Sequence, residues 1–183
     1  ETFPLATPRW CGTDRAPLFI TDLPGLTRDR IDTGTRSLWR YRAAFPLASP
    51  DPITMGEGCT PIVARSIDGA TALLKCEWFM PTGSFKDRGA SVMISLLRDQ
   101  GIREVLEDSS GNGGAAVSAY AAAGGLKATI MAPDSTSPAK TVAMRAAAHW
   151  NDNPEDWRQQ CMEVPPHHRQ DLLDHLQRQY PKP

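Results

Sequence analysis

REVLEDSSGNGGAAVSAYAAAGGLKATIMAP, residues 103–133, decides the fold. REVLEDSS reads as a strand, GNGG as a turn, AAVSAYAAA as a helix closed by Gly124 and Gly125, and KATIMAP as a second strand. A strand, a glycine turn, a helix and another strand within about thirty residues make a parallel crossover unit. SPAKTVAMRAAA then predicts a helix from Pro138 to Ala148.

Upstream the same alternation is already present. PIVAR at 61–65 is strand-like, IDG turns, and ATALLKCEW at 70–78 reads as a buried strand. After PTGS a helical period runs through Ala90, Val92, Met93, Leu96 and Leu97 to Gly101. The expected architecture is therefore α/β, a parallel sheet with flanking helices. Ligands of such sheets gather at the carboxyl ends of the strands, where both glycine turns lie.

Before this unit, residues 1–50 hold many prolines and short apolar pieces, with a helix-like TRSLWRYRAAF at 35–45; they read as a loosely structured lead-in. The expected α/β domain covers 51–148. Residues 149–183 form an out-of-pattern tail without Gly, Ala, Ser, Thr or Ile, in which only DLLDHLQRQY has helical amphipathicity. No apolar strand follows Ala148, so the sheet is expected to be cut short.

Bulk properties narrow the function. Twenty Lys plus Arg balance twenty-one Asp plus Glu, which gives no attraction to nucleic acid or to an acidic membrane face. No apolar run approaches the ~20 residues that span a bilayer. Cys11, Cys59, Cys76 and Cys161 are scattered and form no CxxC pair, which fits a reducing, cytoplasmic setting and no metal site. Cys161 with His167 and His168 has no familiar ligand spacing.

Two stretches could carry chemistry. In SSGNGG, 109–114, small residues at a helix start leave backbone N–H groups free for an anion such as a carboxylate or phosphate. The hydroxyls of Ser109 and Ser110 can donate there, and Asn112 can bond a ring oxygen. The same loop also reads as a plain helix cap with glycines for tight packing. In PTGSFKDRG, 81–89, Lys86 at a helix start can act as an amine nucleophile and form a Schiff base. Taken alone it reads more often as a solvated charge, with Asp87 and Arg88 as surface partners.

Taken together, PTGSFKDRG, DSSGNGG and the upstream ITMGEGCTPIV resemble the fold-type II family of pyridoxal-phosphate enzymes. LWRYRAAFPL with GEGCTP is most similar to its threonine synthase branch. The resemblance runs over about 36–148. It implies pyridoxal 5'-phosphate as cofactor, Lys86 as the residue that binds it as a Schiff base, and Asn112 as the partner of the pyridine 3'-oxygen. It also implies that Ser109, Ser110, Gly111 and Gly113 grip the substrate carboxylate, with Ser84 and Phe85 beside the lysine. The implied reaction turns O-phosphohomoserine and water into threonine and phosphate, with a small amino-acid substrate and a homodimer as the family's usual assembly. A serine/threonine dehydratase-like deamination would use the same lysine and loop.

The sequence departs from the family after Ala148, where the family's Ser or Thr near the pyridine nitrogen and most of its second α/β domain are not expected. All fourteen glycines precede residue 126, so the later glycine-rich loop that holds the cofactor phosphate has no counterpart. A truncated, non-catalytic fragment or interaction module that retains the motif is the reading from another class.

Overall fold

The computed structural model describes residues 1–9, 11–20, 23, 25–47, 51–133 and 136–147, so the amphipathic stretch near the end, with Cys161, His167 and His168, lies outside the described residues. Four strands and three α-helices follow one another as β1 (Ile62–Ile67), β2 (Ala70–Lys75), α1 (Lys86–Asp99), β3 (Glu104–Asp108), α2 (Asn112–Gly124), β4 (Lys127–Met131) and α3 (Pro138–Ala147). The decisive stretch folds as read. β3 and β4 are parallel neighbours, with Glu104 opposite Lys127 and Asp108 opposite Met131, and α2 is the crossover between them.

The core forms where α2 meets its surroundings. Its alanines let α1, α3 and the β3–β4 sheet approach closely, so that Ala115, Ala116, Val117, Tyr120 and Ala121 pack with Ala90 and Ile94 of α1, Ala128 and Ile130 of β4 and Met144 of α3. Ile53 and Leu126 complete this cluster.

The first two strands behave differently. β1 and β2 pair antiparallel in a sheet of their own, Ile62 opposite Lys75 and Ile67 opposite Ala70, rather than joining β3 and β4. Nor is the second strand buried. It ends at Lys75, Glu77–Phe79 is a short 3-10 turn, and Leu73 and Leu74 are 72% and 41% exposed. A hydrophobic strand sequence gives propensity, but burial needs a partner layer, and none covers this hairpin among the described residues.

α1 also buries a different face from the one its apolar residues suggest. Ser91 and Ser95 are fully buried while Met93 is exposed. Ser95 donates to the Ser91 carbonyl at 2.7 Å and accepts from the Ile53 amide at 2.9 Å, and Ser91 Oγ lies 2.7 Å from the Ile53 carbonyl oxygen. These serines lay the 53–57 segment along the helix. From the lead-in, Leu38–Ala44 forms a 3-10 helix, and buried Trp39 donates its indole N–H to Ser91 at 2.9 Å.

Candidate active site

The two candidate stretches lie at the starts of α1 and α2, two helices that pack together. α2 begins directly after the carboxyl end of β3, and its first turn is held by Ser109, whose Oγ accepts from the Gly114 amide at 2.8 Å and from the Gly111 amide at 3.4 Å. The cap reading of this loop is thus met by Ser109 itself. The Asn112 and Gly113 amides have no hydrogen-bond partner among the described residues, and Ser110 and Asn112 are exposed. Gly113 is a tight cradle: a Cβ there would lie 3.0 Å from Ser109 Oγ and 3.3 Å from a Glu107 carboxylate oxygen.

Lys86 is the first residue of α1 and is exposed, its Nζ lying 5.2 Å from the centroid of the Phe85 ring. Phe85 is exposed as well, whereas Ser84 is buried and its Oγ accepts from the Lys86 amide at 3.2 Å. Burial and the neighbouring Asp108 push the Glu107 carboxyl above the usual carboxylate range, and the charge of Lys86 pulls it back down. Glu107 thus lies within electrostatic reach of Lys86, and one of its oxygens would be 3.3 Å from a Cβ placed on Gly113.

Asp87 and Arg88 are not the surface partners of Lys86 that their charges suggest. Asp87 is wholly buried; one carboxylate oxygen accepts from the Thr82 amide at 2.7 Å and the other from the Thr82 hydroxyl. Arg88 makes a two-pronged pair with Glu77 at 2.8 and 2.9 Å, and Glu77 also accepts from the Thr60 hydroxyl at 2.6 Å. That pairing with Arg88, aided by Thr60, holds the Glu77 carboxyl down at about 2.

The GEGCTP turn, 56–61, ties the two helices together. Glu57 has no exposed surface, and its carboxylate accepts from Ser91 of α1 at 2.6 Å and Tyr120 of α2 at 2.8 Å. It also accepts from the Met55 amide at 2.9 Å and from the Thr54 hydroxyl. Several donors thus converge on a buried carboxyl, which offsets part of the cost of taking it out of water. Glycine is required next to it. Gly58 has φ +111°, and a Cβ would meet the Leu38 amide nitrogen at 2.5 Å.

Sequence reading singled out the motif but not the roles of Glu57, Thr82, Asp87 and Glu107. Glu57 and Asp87 carried a usable signal, an acid inside a motif whose other members are small. Glu107 carried none, because an acid at a strand end is ordinarily exposed.

Residues 53–149 match the family described as pyridoxal-phosphate dependent enzyme, more than half of the 183-residue chain. The chain belongs to that family. It is 35% identical to the threonine synthase of Halalkalibacterium halodurans over 108 residues, which is 54% of this chain and 30% of that one. With the threonine synthase of Mycobacterium tuberculosis H37Rv it shares 37% over 111 residues, 55% of this chain and 31% of that one. The chain thus spans about a third of the length of these relatives. Among solved structures, the O-acetylserine dependent cystathionine beta-synthase from Helicobacter pylori superposes with a TM-score of 0.50 at 24% identity, over 59% of this chain and 42% of that one. The fold is accordingly that of a partial fold-type II pyridoxal-phosphate enzyme, and the cofactor is pyridoxal 5'-phosphate.

The donor set of the two helix starts suits the aldehyde and ring side of this cofactor. A pyridoxal-phosphate enzyme needs a primary amine for the aldehyde, an amide for the ring oxygen and close backbone approach, and Lys86, Asn112 and the Gly113 cradle offer these three. Among the described residues no group of His, Cys, Asp and Glu is arranged to hold a metal, and no helix is long and apolar enough to cross a membrane.

Proposed function

We propose that residues 51–148 are the cofactor-bearing unit of a pyridoxal-phosphate lyase of the threonine synthase type, acting on O-phosphohomoserine and water to give threonine and phosphate. What supports this is an exposed amine, Lys86, and a glycine-built loop at the starts of two packed helices, in a chain resembling threonine synthases at 35–37% identity. Lys86 would bond the cofactor through Nζ and Asn112 would bond the ring oxygen. Ser110 and the Gly111 and Gly113 backbone would receive the substrate carboxylate, with Ser109 holding their turn in shape and offering its hydroxyl proton. Ser84 and Phe85 would support the lysine from below and beside.

Pyridoxal phosphate, when bound, supplies the electron sink. The chain would supply aim and proton transfer: Lys86 Nζ would move protons between the α and β carbons of the substrate, while the α2 first turn would keep the carboxylate anchored.

A second reading rests on the chain spanning about a third of its relatives: a portion that binds the cofactor without turnover. Absorbance separates the possibilities first. Mixing the protein with pyridoxal phosphate is expected to give a band at the edge of the visible that disappears in Lys86→Ala; no lysine-dependent band sinks the cofactor assignment of Lys86. Phosphate released from O-phosphohomoserine then supports threonine synthase chemistry. A 2-oxo acid formed from serine or threonine points to the dehydratase-like deamination, and a band with neither product points to binding without turnover.

A further inference from the structure

We propose that Asp87, acting through Thr82, is a positioning residue for Lys86: it closes residues 82–87 into a ring that fixes the lysine's backbone before any cofactor arrives. This rests on the reading of Lys86 as the cofactor-bearing residue.

The ring is closed by a fork. Both carboxylate oxygens of Asp87 are taken by one residue, the amide of Thr82 at 2.7 Å and its hydroxyl. Inside the ring the Asp87 amide donates to the Ser84 carbonyl at 3.2 Å and the Lys86 amide to Ser84 Oγ at 3.2 Å. Just outside it the Gly83 amide donates to the Met80 carbonyl at 2.8 Å and the Arg88 amide to the Phe85 carbonyl at 3.2 Å. The amides of Thr82, Gly83, Lys86, Asp87 and Arg88 are thus all engaged, while the side chains of Phe85 and Lys86 stand exposed. Backbone is held and amine is free.

Asp87 has no exposed surface, so opening the ring would strand a carboxylate away from water and from both its donors. That penalty stiffens the loop. Arg88 anchors the next residue outward to Glu77, so both residues that follow Lys86 are tethered. Because both of its oxygens are occupied and buried, Asp87 acts by geometry and not by exchanging a proton with the lysine. A small misplacement of a reacting group costs rate steeply, which gives such a ring a use beyond stability.

The test uses the full chain and the variants Thr82→Val, Thr82→Ser and Asp87→Ala, compared where circular dichroism shows each to be folded. Thr82→Val keeps the backbone bond and the side-chain shape, so it stays informative if Asp87→Ala fails to fold. The first readout is hydrogen exchange of the 82–88 amides without cofactor. Protection is expected in the parent and Thr82→Ser, with loss of about tenfold in Asp87→Ala. The second is the partition of a pyridoxyl label, fixed by borohydride after mixing with pyridoxal phosphate, between Lys86 and Lys127.

Preference for Lys86 is expected to fall about tenfold in Asp87→Ala and several-fold in Thr82→Val, and to return in Thr82→Ser. Equal preference in parent, Thr82→Val and Asp87→Ala overturns the proposal, as does an unprotected Thr82 amide in the parent. A parent with protected 82–88 amides but no preference for Lys86 instead overturns the cofactor role of Lys86, and the positioning role with it.

Discussion

Glu77 and Glu107 respond to pH in opposite senses, and each sense follows from its neighbours. Glu77 is held at about 2 against an ordinary 4.5, so its ionised form favours the folded chain. The stabilisation is complete above about 4.5 and is lost as pH falls toward about 2. Glu77→Gln is expected to cost ~1–2 kcal/mol at pH 7 and to flatten the fall in urea midpoint between pH 5 and 3. Glu107 has its carboxyl raised by burial and by Asp108, so its neutral form favours the fold. Its ionisation costs stability as pH climbs from 4.5 through the raised value, and the cost is full above that value. Glu107→Gln should therefore raise the urea midpoint at pH 7 and leave it unchanged at pH 4. A lower midpoint at pH 7 would contradict this account of Glu107.

At the scale of elements, the three motifs are one mechanical unit because the GEGCTP turn holds both helices. Glu57 binds α1 through Ser91 and α2 through Tyr120, and Thr60 reaches α1 through Glu77 and Arg88. Tyr120→Phe removes one donor from a buried carboxylate and is expected to cost ~1–3 kcal/mol in urea unfolding. Gly58→Ala puts a methyl against the Leu38 backbone at a left-handed φ and should cost at least ~2 kcal/mol, more than the loss at exposed Gly69. Equal losses at the two glycines would show that Gly58 is not sterically required. The β3–α2–β4 unit was legible in the sequence because its periods are strong and its turns glycine-marked. The face of α1 was not, since its contacts run through Ser91 and Ser95, and hydrophobic periodicity is blind to hydroxyls that bond a backbone. Lys86 and SSGNGG were found by their company, whereas the bond from Asp87 to Thr82 needed the folded loop to be seen.

For the whole molecule, the free-standing hairpin is the feature that strand reading could not anticipate. Ile62, Ile67, Leu73 and Leu74 are exposed, as are Trp78 and Phe79 just after it. Alternation and apolar content identify a strand, but which layer covers it depends on residues far away in the chain. Because nothing among the described residues packs on Leu73, Leu73→Lys should change the stability of this chain by less than ~0.5 kcal/mol, while Ile94→Ala in the α1–α2 core should cost ~2–5 kcal/mol. A large loss from Leu73→Lys in thermal or urea unfolding would mean that the hairpin is covered.

The buried indole of Trp39 has a practical consequence. Its N–H is bonded to Ser91, the same hydroxyl that donates to Glu57, so the ring sits in a dry pocket wired to the turn that joins the two helices. Trp78, by contrast, is 64% exposed and would emit much the same whether the chain is folded or not. Of these two tryptophans, only Trp39 should therefore shift its emission to longer wavelength as the chain loosens, giving the protein a built-in optical gauge of whether the turn that joins its two helices still holds them.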